Sequence, residues 1–200
     1  MKTSPTQLPQ VFPLLCGDQH KVKSIASATV LDPDRGIVAT TKDCVEECSK
    51  FMLVKDGYCE LKLVAVHPNM NIVLLHADPN EFANIPKLVW AQNVSVESIA
   101  IHGWVSKGEI NHYEFQRKVV TGIIDGVHNR DEDSQGGSWL VKSNTNRDKL
   151  QGMSGSAAIN EKGELVGLFA STNRSFLILT VIQEANPVLK LISPMTPYRG

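Results

Sequence analysis

The chain has 200 residues, 42% of them hydrophobic and 20% charged, the composition of an ordinary globule of one domain or two small lobes sharing a core. Twenty Lys+Arg stand against 21 Asp+Glu, a net charge of −1 that leaves no basic footprint for nucleic acid. No apolar run approaches the roughly 20 residues of a membrane helix, so helical membrane proteins, coiled coils and collagen are excluded, and no membrane partner is expected. At the amino terminus Pro5, Pro9 and Pro13 break every candidate for the apolar core of a signal peptide, which needs roughly 7–15 residues. Residues 1–20 therefore read as a tail or first strand, and a cytoplasmic or otherwise intracellular location is expected. Four cysteines (Cys16, Cys44, Cys48, Cys59) are too few for a disulfide scaffold, and no fourth ligand stands at a zinc-like spacing from Cys44, Cys48 and Cys59. Free thiols and no metal are the expectation. Without export, the glycosylation patterns at Asn93-Val94-Ser95 and Asn173-Arg174-Ser175 are idle.

Beyond the tail, strand-length apolar runs alternate with turn residues. Ile25–Leu31 enters the turn Asp32-Pro33-Asp34-Arg35-Gly36, and Ile37–Thr40 returns from it as a hairpin. Leu61–Val66, Ile72–Leu75, Val94–Ile101, Val119–Ile124 and Trp139–Val141 read as further strands. Asn129–Ser138, rich in Asp, Asn, Ser and Gly, reads as a long exposed loop. Ala157–Asn160 and Leu165–Ala170 form a second hairpin around Glu161-Lys162-Gly163-Glu164, followed by Phe176–Val181. Ile182–Ile192, interrupted by Pro187, is the one helical stretch. Asn80–Ala91 is the seam, which divides the chain into lobes at 21–88 and 89–200. Many short strands at this spacing describe an all-β barrel or sandwich. Glu46, Glu47 and Asp131-Glu132-Asp133 read as solvated faces, and Trp90, Trp104 and Trp139 as core.

The most informative stretch is Gln151-Gly152-Met153-Ser154-Gly155-Ser156. Glycines around a serine permit a sharp turn that projects the hydroxyl while nearby N–H groups converge on one point. That geometry suits an oxyanion hole with the Gly152 and Ser154 amides as donors. Alone, the motif is common. It is accompanied, however, by the hairpin Ala157–Gly167 with Leu168-Phe169-Ala170-Ser171, by Ala26–Thr40 upstream, and by His67-Pro68-Asn69-Met70-Asn71-Ile72-Val73-Leu74-Leu75 between them. In this order the three segments resemble the trypsin-like serine proteases of the chymotrypsin fold, the upstream hairpin being similar to that of the Deg-type members. The resemblance spans residues 25–182 and implies a double six-stranded β-barrel with a short carboxy-terminal helix, and no cofactor.

The resemblance also marks two departures. Asp43 stands where the family has its catalytic histidine, Asn71 where it has its aspartate, and only Ser154 keeps its identity. A serine hydroxyl is a poor nucleophile until a base within hydrogen-bond reach takes its proton. A carboxylate with a pKa of about 3.9 is an inefficient base near neutrality unless its surroundings raise it. Lys42 adjoins the altered position, but alternation along a strand would turn it away from the cleft. Of the six histidines, His20, His67, His76 and His102 have no counterpart in the family's catalytic segment, and His112 and His128 fall in loop-like stretches. The resemblance further implies a specificity pocket formed by Asp148, six residues before Ser154, with Ala170, Ser171 and Thr172; a solvated loop aspartate between Arg147 and Lys149 is the competing reading of Asp148. Met153 replaces the acidic residue that secreted members pair with a new amino terminus, and Cys44 has no cysteine on the preceding strand to bond. Two functions follow. One is a degenerate homologue, a pseudoprotease that binds a protein or extended peptide along the strand edge at Phe169–Thr172. The alternative is an active intracellular serine endopeptidase using Ser154 with a non-standard base and a preference for Arg or Lys.

Overall fold

The computed structural model describes residues 8–18, 20–46, 48–67, 70–107, 114–129 and 137–181. Strands β1 (Val11–Asp18), β2 (Lys21–Asp32), β3 (Ile37–Thr40), β4 (Phe51–Val54), β5 (Tyr58–Val66) and β6 (Val73–His76) close a barrel in the order β1-β2-β3-β6-β5-β4. Strands β7 (Ser98–Lys107), β8 (Glu114–Asn129), β9 (Gly137–Lys142), β10 (Ala157–Asn160), β11 (Leu165–Thr172) and β12 (Leu177–Val181) close a second in the order β10-β11-β12-β9-β8-β7. Every pairing in both barrels is antiparallel. This is the chymotrypsin-like double barrel that the sequence implied. Short 3-10 turns are the only helical structure among the described residues, and the helix expected over Ile182–Ile192 lies outside them.

Burial explains why so many strands read as unbroken apolar runs. The side chains of β2 alternate between two environments. Ala26, Ala28 and Val30 fill the first barrel with Val38, Leu53, Val73 and Leu75. Leu31, on the opposite face, joins Ile37, Ala39, Ile72 and Leu74 in a second cluster with Ala157, Ile159, Leu165 and Leu168 of the other barrel. Strands buried on both faces lose the apolar–polar alternation of a half-exposed sheet. Trp90, Trp104 and Trp139 pack against this interface, as a core role requires.

The turns follow local chemistry. Pro33 opens the 3-10 turn Pro33–Arg35, and Gly36 closes it at φ 68°, where a side chain would meet the Ala77 carbonyl. Asn160 accepts from the N–H groups of Lys162 (3.1 Å) and Glu164 (2.9 Å), which shapes the β10–β11 hairpin. The β4–β5 hairpin was not expected from sequence, although Asp56-Gly57, both at positive φ, is the dipeptide that favours such a turn. The loop expected over Asn129–Ser138 is shorter at both ends: Asn129 belongs to β8, and Gly137 and Ser138 to β9. His128 likewise lies on β8 rather than in a loop.

The expectation of four free thiols is overturned. Cys16 of β1 and Cys48 form a disulfide with Cα atoms 5.7 Å apart, while Cys44 and Cys59 are free. Sequence spacing did not reveal the pair because the two cysteines lie 32 positions apart and only the barrel brings the Cys48 segment back beside β1, where the Gly17 N–H donates to the Lys50 carbonyl (2.8 Å). Cross-linking a loop of that length is expected to stabilise the chain by about 3–4 kcal/mol. Urea unfolding of Cys16→Ser/Cys48→Ser against the oxidised parent measures this, and equal midpoints would exclude the bond.

Candidate functional site

The Ser154 segment belongs to the second barrel, but the first barrel holds it in place. The Ser27 N–H of β2 donates to the Ser154 carbonyl (2.8 Å), and the Thr29 hydroxyl donates to the Gly155 carbonyl (2.9 Å). The Ser27 hydroxyl donates to the Gly152 carbonyl (2.8 Å) and accepts from the Trp104 N–H (3.0 Å). The Thr40 hydroxyl donates to the Ser27 carbonyl (2.9 Å). Ser27, Thr29 and Thr40 are fully buried, and their satisfied hydroxyls avoid the cost of an unpaired buried polar group, about 1–3 kcal/mol. Gly152 (φ 96°) and Gly155 (φ 91°) adopt the left-handed conformations this tight loop needs. At Gly155 any side chain would collide with the Ser27 carbonyl and the Thr40 hydroxyl.

Ser154 is half-buried, and its Oγ donates to the Ala170 carbonyl at 3.3 Å. No base among the described residues hydrogen-bonds this hydroxyl. The Gly155 N–H donates to the Phe169 carbonyl (2.8 Å), and the Phe169 N–H to the Ser156 carbonyl (2.9 Å). The N–H groups of Gly152 and Ser154 donate to no protein carbonyl among the described residues.

Asp43 and Lys42 do not lie on a strand, so the alternation argument that separated them does not apply. Both sit in the 3-10 turn Lys42–Cys44, with Asp43 exposed and Lys42 half-buried. Asn71 reaches this turn: its Oδ1 accepts from the Lys42 N–H at 2.8 Å. The positions that the resemblance paired are therefore adjacent in space, but the carboxamide oxygen is committed to backbone. Cys44, the next residue, is within 3.2 Å of the Thr41 hydroxyl, and burial pushes its thiol above the ordinary range. His67 accepts through Nδ1 from the Met70 N–H (3.0 Å), a turn-stabilising role beside Asn71. His112 lies outside the described residues.

Around the expected specificity pocket, Asp148 is exposed in the 3-10 turn Arg147–Lys149, where Asn146 Oδ1 accepts from its N–H (3.1 Å). Arg147 crosses from this turn to the carbonyls of Asn173 (2.7 Å) and Arg174. Sequence reasoning passed over this bridge because its acceptors are backbone atoms of a distant turn. Ala170 is buried, Ser171 half-buried and Thr172 exposed. Pairing with β10 ends at Leu168, whereas pairing with β12 continues through Thr172, so one edge of Ala170–Thr172 has no strand partner among the described residues. Among the described residues no helix is long and apolar enough to cross a membrane, and no three of His, Cys, Asp and Glu gather as metal ligands.

Two interlocked barrels with a glycine-framed serine at their junction define a trypsin-like architecture. The family model described as a trypsin-like peptidase domain matches residues 26–168, and the chain belongs to that family. Solved structures share the fold at low identity. The serine endoprotease from Yersinia pestis superposes with a TM-score of 0.69 at 17% identity, covering 94% of this chain and 64% of its own. The HtrA-type protease AlgW with a tripeptide gives 0.71 at 16% identity, over 94% of this chain and 61% of that one. Rv3671c from M. tuberculosis H37Rv, an inactive form with its serine changed to alanine, gives 0.67 at 15% identity, over 96% and 90%. The chain thus spans less than two-thirds of the first two. No curated protein sequence matches it.

The Asn71 bond separates a backbone role from a catalytic one. Asn71→Asp keeps an acceptor oxygen for the Lys42 N–H and is expected to be close to neutral in stability. Asn71→Ala removes it and is expected to cost about 1–2 kcal/mol. Denaturant midpoints of the two variants test this; equal loss in both would refute the assignment.

Proposed function

We propose that this chain is a catalytically degenerate trypsin-like protease homologue that binds an extended peptide or protein segment. The observation that carries the reading is the setting of Ser154. Its hydroxyl proton is directed to the Ala170 carbonyl, which cannot take it away, and no imidazole or amine hydrogen-bonds it among the described residues. Asp43 is exposed and Asn71 is occupied by the Lys42 N–H. An amide can neither hold charge nor stabilise an imidazolium, so restoring a histidine alone would leave it without an orienter. Loss of the triad histidine in a related mechanism costs on the order of 10⁶ in turnover. What remains from an oxyanion hole alone is roughly 10³–10⁴ over water.

The binding surface in this reading is the cleft edge. The open edge of Ala170–Thr172 offers backbone donors and acceptors for strand addition. The Gly152 and Ser154 N–H groups would receive a peptide carbonyl in the ground state. Arg147 closes the rim where a long side chain would enter, and exposed Asp148 gives a weak base for an Arg or Lys pocket. The active-endopeptidase reading rests on the retained serine and these donors, with Lys42 or Asp43 as base; apo geometry can tighten on binding. The Cys16–Cys48 bond favours an oxidising compartment, against the intracellular location expected from the sequence.

Labelling with a fluorophosphonate is expected to modify Ser154 no faster than an unactivated serine. Modification at the rate of a working serine protease would overturn the reading. Asp43→His with Asn71→Asp is expected to raise hydrolysis of a small activated ester by at least about 10²-fold, the scale of general-base assistance. No gain in a folded double variant would show that the cleft geometry, as well as the base, has been lost.

A further inference from the structure

Beyond the serine, the end of β11 meets a guanidinium that the fold holds without using all its donors. The register of β11 against β12 shifts at Ala170, whose carbonyl receives the Ser154 hydroxyl (3.3 Å). After Thr172 the chain enters a turn built by Asn173. The Asn173 N–H donates to the Phe176 carbonyl (3.0 Å), and its Oδ1 accepts from the N–H groups of Ser175 (2.9 Å) and Phe176 (2.7 Å). Arg147 reaches this turn from the segment that leads into the serine loop, its Nη1 donating to the carbonyls of Asn173 (2.7 Å) and Arg174. That segment is pinned as well: the Leu150 N–H donates to the Arg147 carbonyl (3.2 Å) and the Met153 N–H to the Leu150 carbonyl (3.0 Å), with Leu150 and Met153 buried. Arg147 is thus tied through its backbone to the loop carrying Gly152 and Ser154, and through its side chain to the turn that ends the open edge.

A guanidinium has five N–H donors, and the two carbonyls engage only those of Nη1. Nε and Nη2 donate to no described residue. Arg147 is half-buried, so its charge is screened less than that of a fully exposed group. Its charged neighbours in the two turns are exposed Lys149 and Arg174, against the single carboxylate of Asp148. No ion pair among the described residues engages any of these four groups. Three cations and one anion repel the Arg or Lys side chain that Asp148 alone would attract, and the free part of the fork matches a carboxylate. We propose that Arg147 is a specificity-determining residue, selecting among extended segments laid along Ala170–Thr172 those that turn a Glu or Asp side chain towards it. The proposal rests on the peptide-binding reading of this cleft and holds whether or not Ser154 is a nucleophile. The ligand is a side chain rather than a chain terminus, because strand addition engages the backbone of the bound segment on the edge and leaves its side chains to meet Arg147.

The test uses the full chain and capped, amidated peptides in which Ala-Ala-Ala is followed by Glu, Gln, Arg or Ala. Binding is read by amide-detected NMR at Ser154, Ser171 and Thr172. The Glu peptide is expected to bind about tenfold more tightly than the Gln peptide, the scale of a charge-assisted hydrogen bond, and more tightly than the Arg peptide. Salt should shrink that ratio. Arg147→Gln should remove the Glu preference while leaving the affinity for the Gln peptide unchanged, whereas loss of a merely structural bridge would weaken both alike. Arg147→Lys should keep part of the preference. Lys149→Glu with Arg174→Glu changes two exposed side chains and leaves the backbone acceptors of Arg147 in place. It should cut the Glu preference by about threefold or more, and it decides the matter if the Arg147 variants fail to fold. Equal affinity for the Glu and Gln peptides, tighter binding of the Arg peptide, or an undiminished Glu preference in a folded Arg147→Gln or double variant would overturn the proposal and leave peptide binding standing. So would a tetraalanine with a free carboxylate that binds as tightly as the Glu peptide. Saturable binding by none of the peptides would overturn both readings.

Discussion

The arrangement of this molecule depends on one strand that belongs to two cores. β2 gives Ala26, Ala28 and Val30 to the first barrel, and its opposite face meets the second. On that opposite face Ser27 and Thr29 replace the aliphatic residues that burial alone would favour. Their hydroxyls and the Ser27 backbone engage Gly152, Ser154 and Gly155 within 2.8–2.9 Å. A hydroxyl in an apolar interface is costly unless satisfied, and these are satisfied only when the serine loop is in one conformation. The loop is thus fixed by the requirement that the barrel interface contain no orphaned polar group. Its geometry is a property of the interface rather than of the loop sequence alone.

The shape of the site is therefore independent of which residues stand at positions 43 and 71. The serine turn is held by β2 and by the Phe169 carbonyl, none of which involves the positions occupied by Asp43 and Asn71. The Asn71 oxygen retains a purely geometric duty, accepting from the Lys42 N–H, for which a carboxamide serves as well as a carboxylate. Only proton transfer requires the charged form. Substitutions that keep this acceptor at position 71 therefore separate positioning from proton transfer. In the proposed reading, such a cleft binds without turnover.

Trp104 lies on the same structural path. Trp104 reaches the amino-terminal segment through its indole, Ser27 through its backbone and Arg117 through its ring face. Strand β7 thus joins the amino-terminal segment to Ser27 through Trp104. The Cys16–Cys48 bond ties the other end of the first barrel, joining β1 to the chain between the Asp43 turn and β4. Both ends of the barrel that supports the loop are anchored.

Several features were legible in the residues themselves. Ile37–Thr40 and Ala157–Asn160 match β3 and β10 residue for residue, because turns with strong local chemistry, Pro33 to Gly36 and Asn160 to Glu164, fix where those strands end or begin. The glycine–serine motif identified the loop, and the order of three segments identified the double barrel. Strand ends without such turns were misplaced: β7 begins at Ser98 and runs to Lys107, and β8 extends to Asn129, because ladder pairing across the sheet, not local propensity, sets their length. The partner of Cys16, the bond between Asn71 and Lys42, the Arg147 bridge and the carbonyl that receives the Ser154 proton were decided only by tertiary structure. Each joins residues distant in sequence, and three of the four involve backbone atoms whose availability no residue type records.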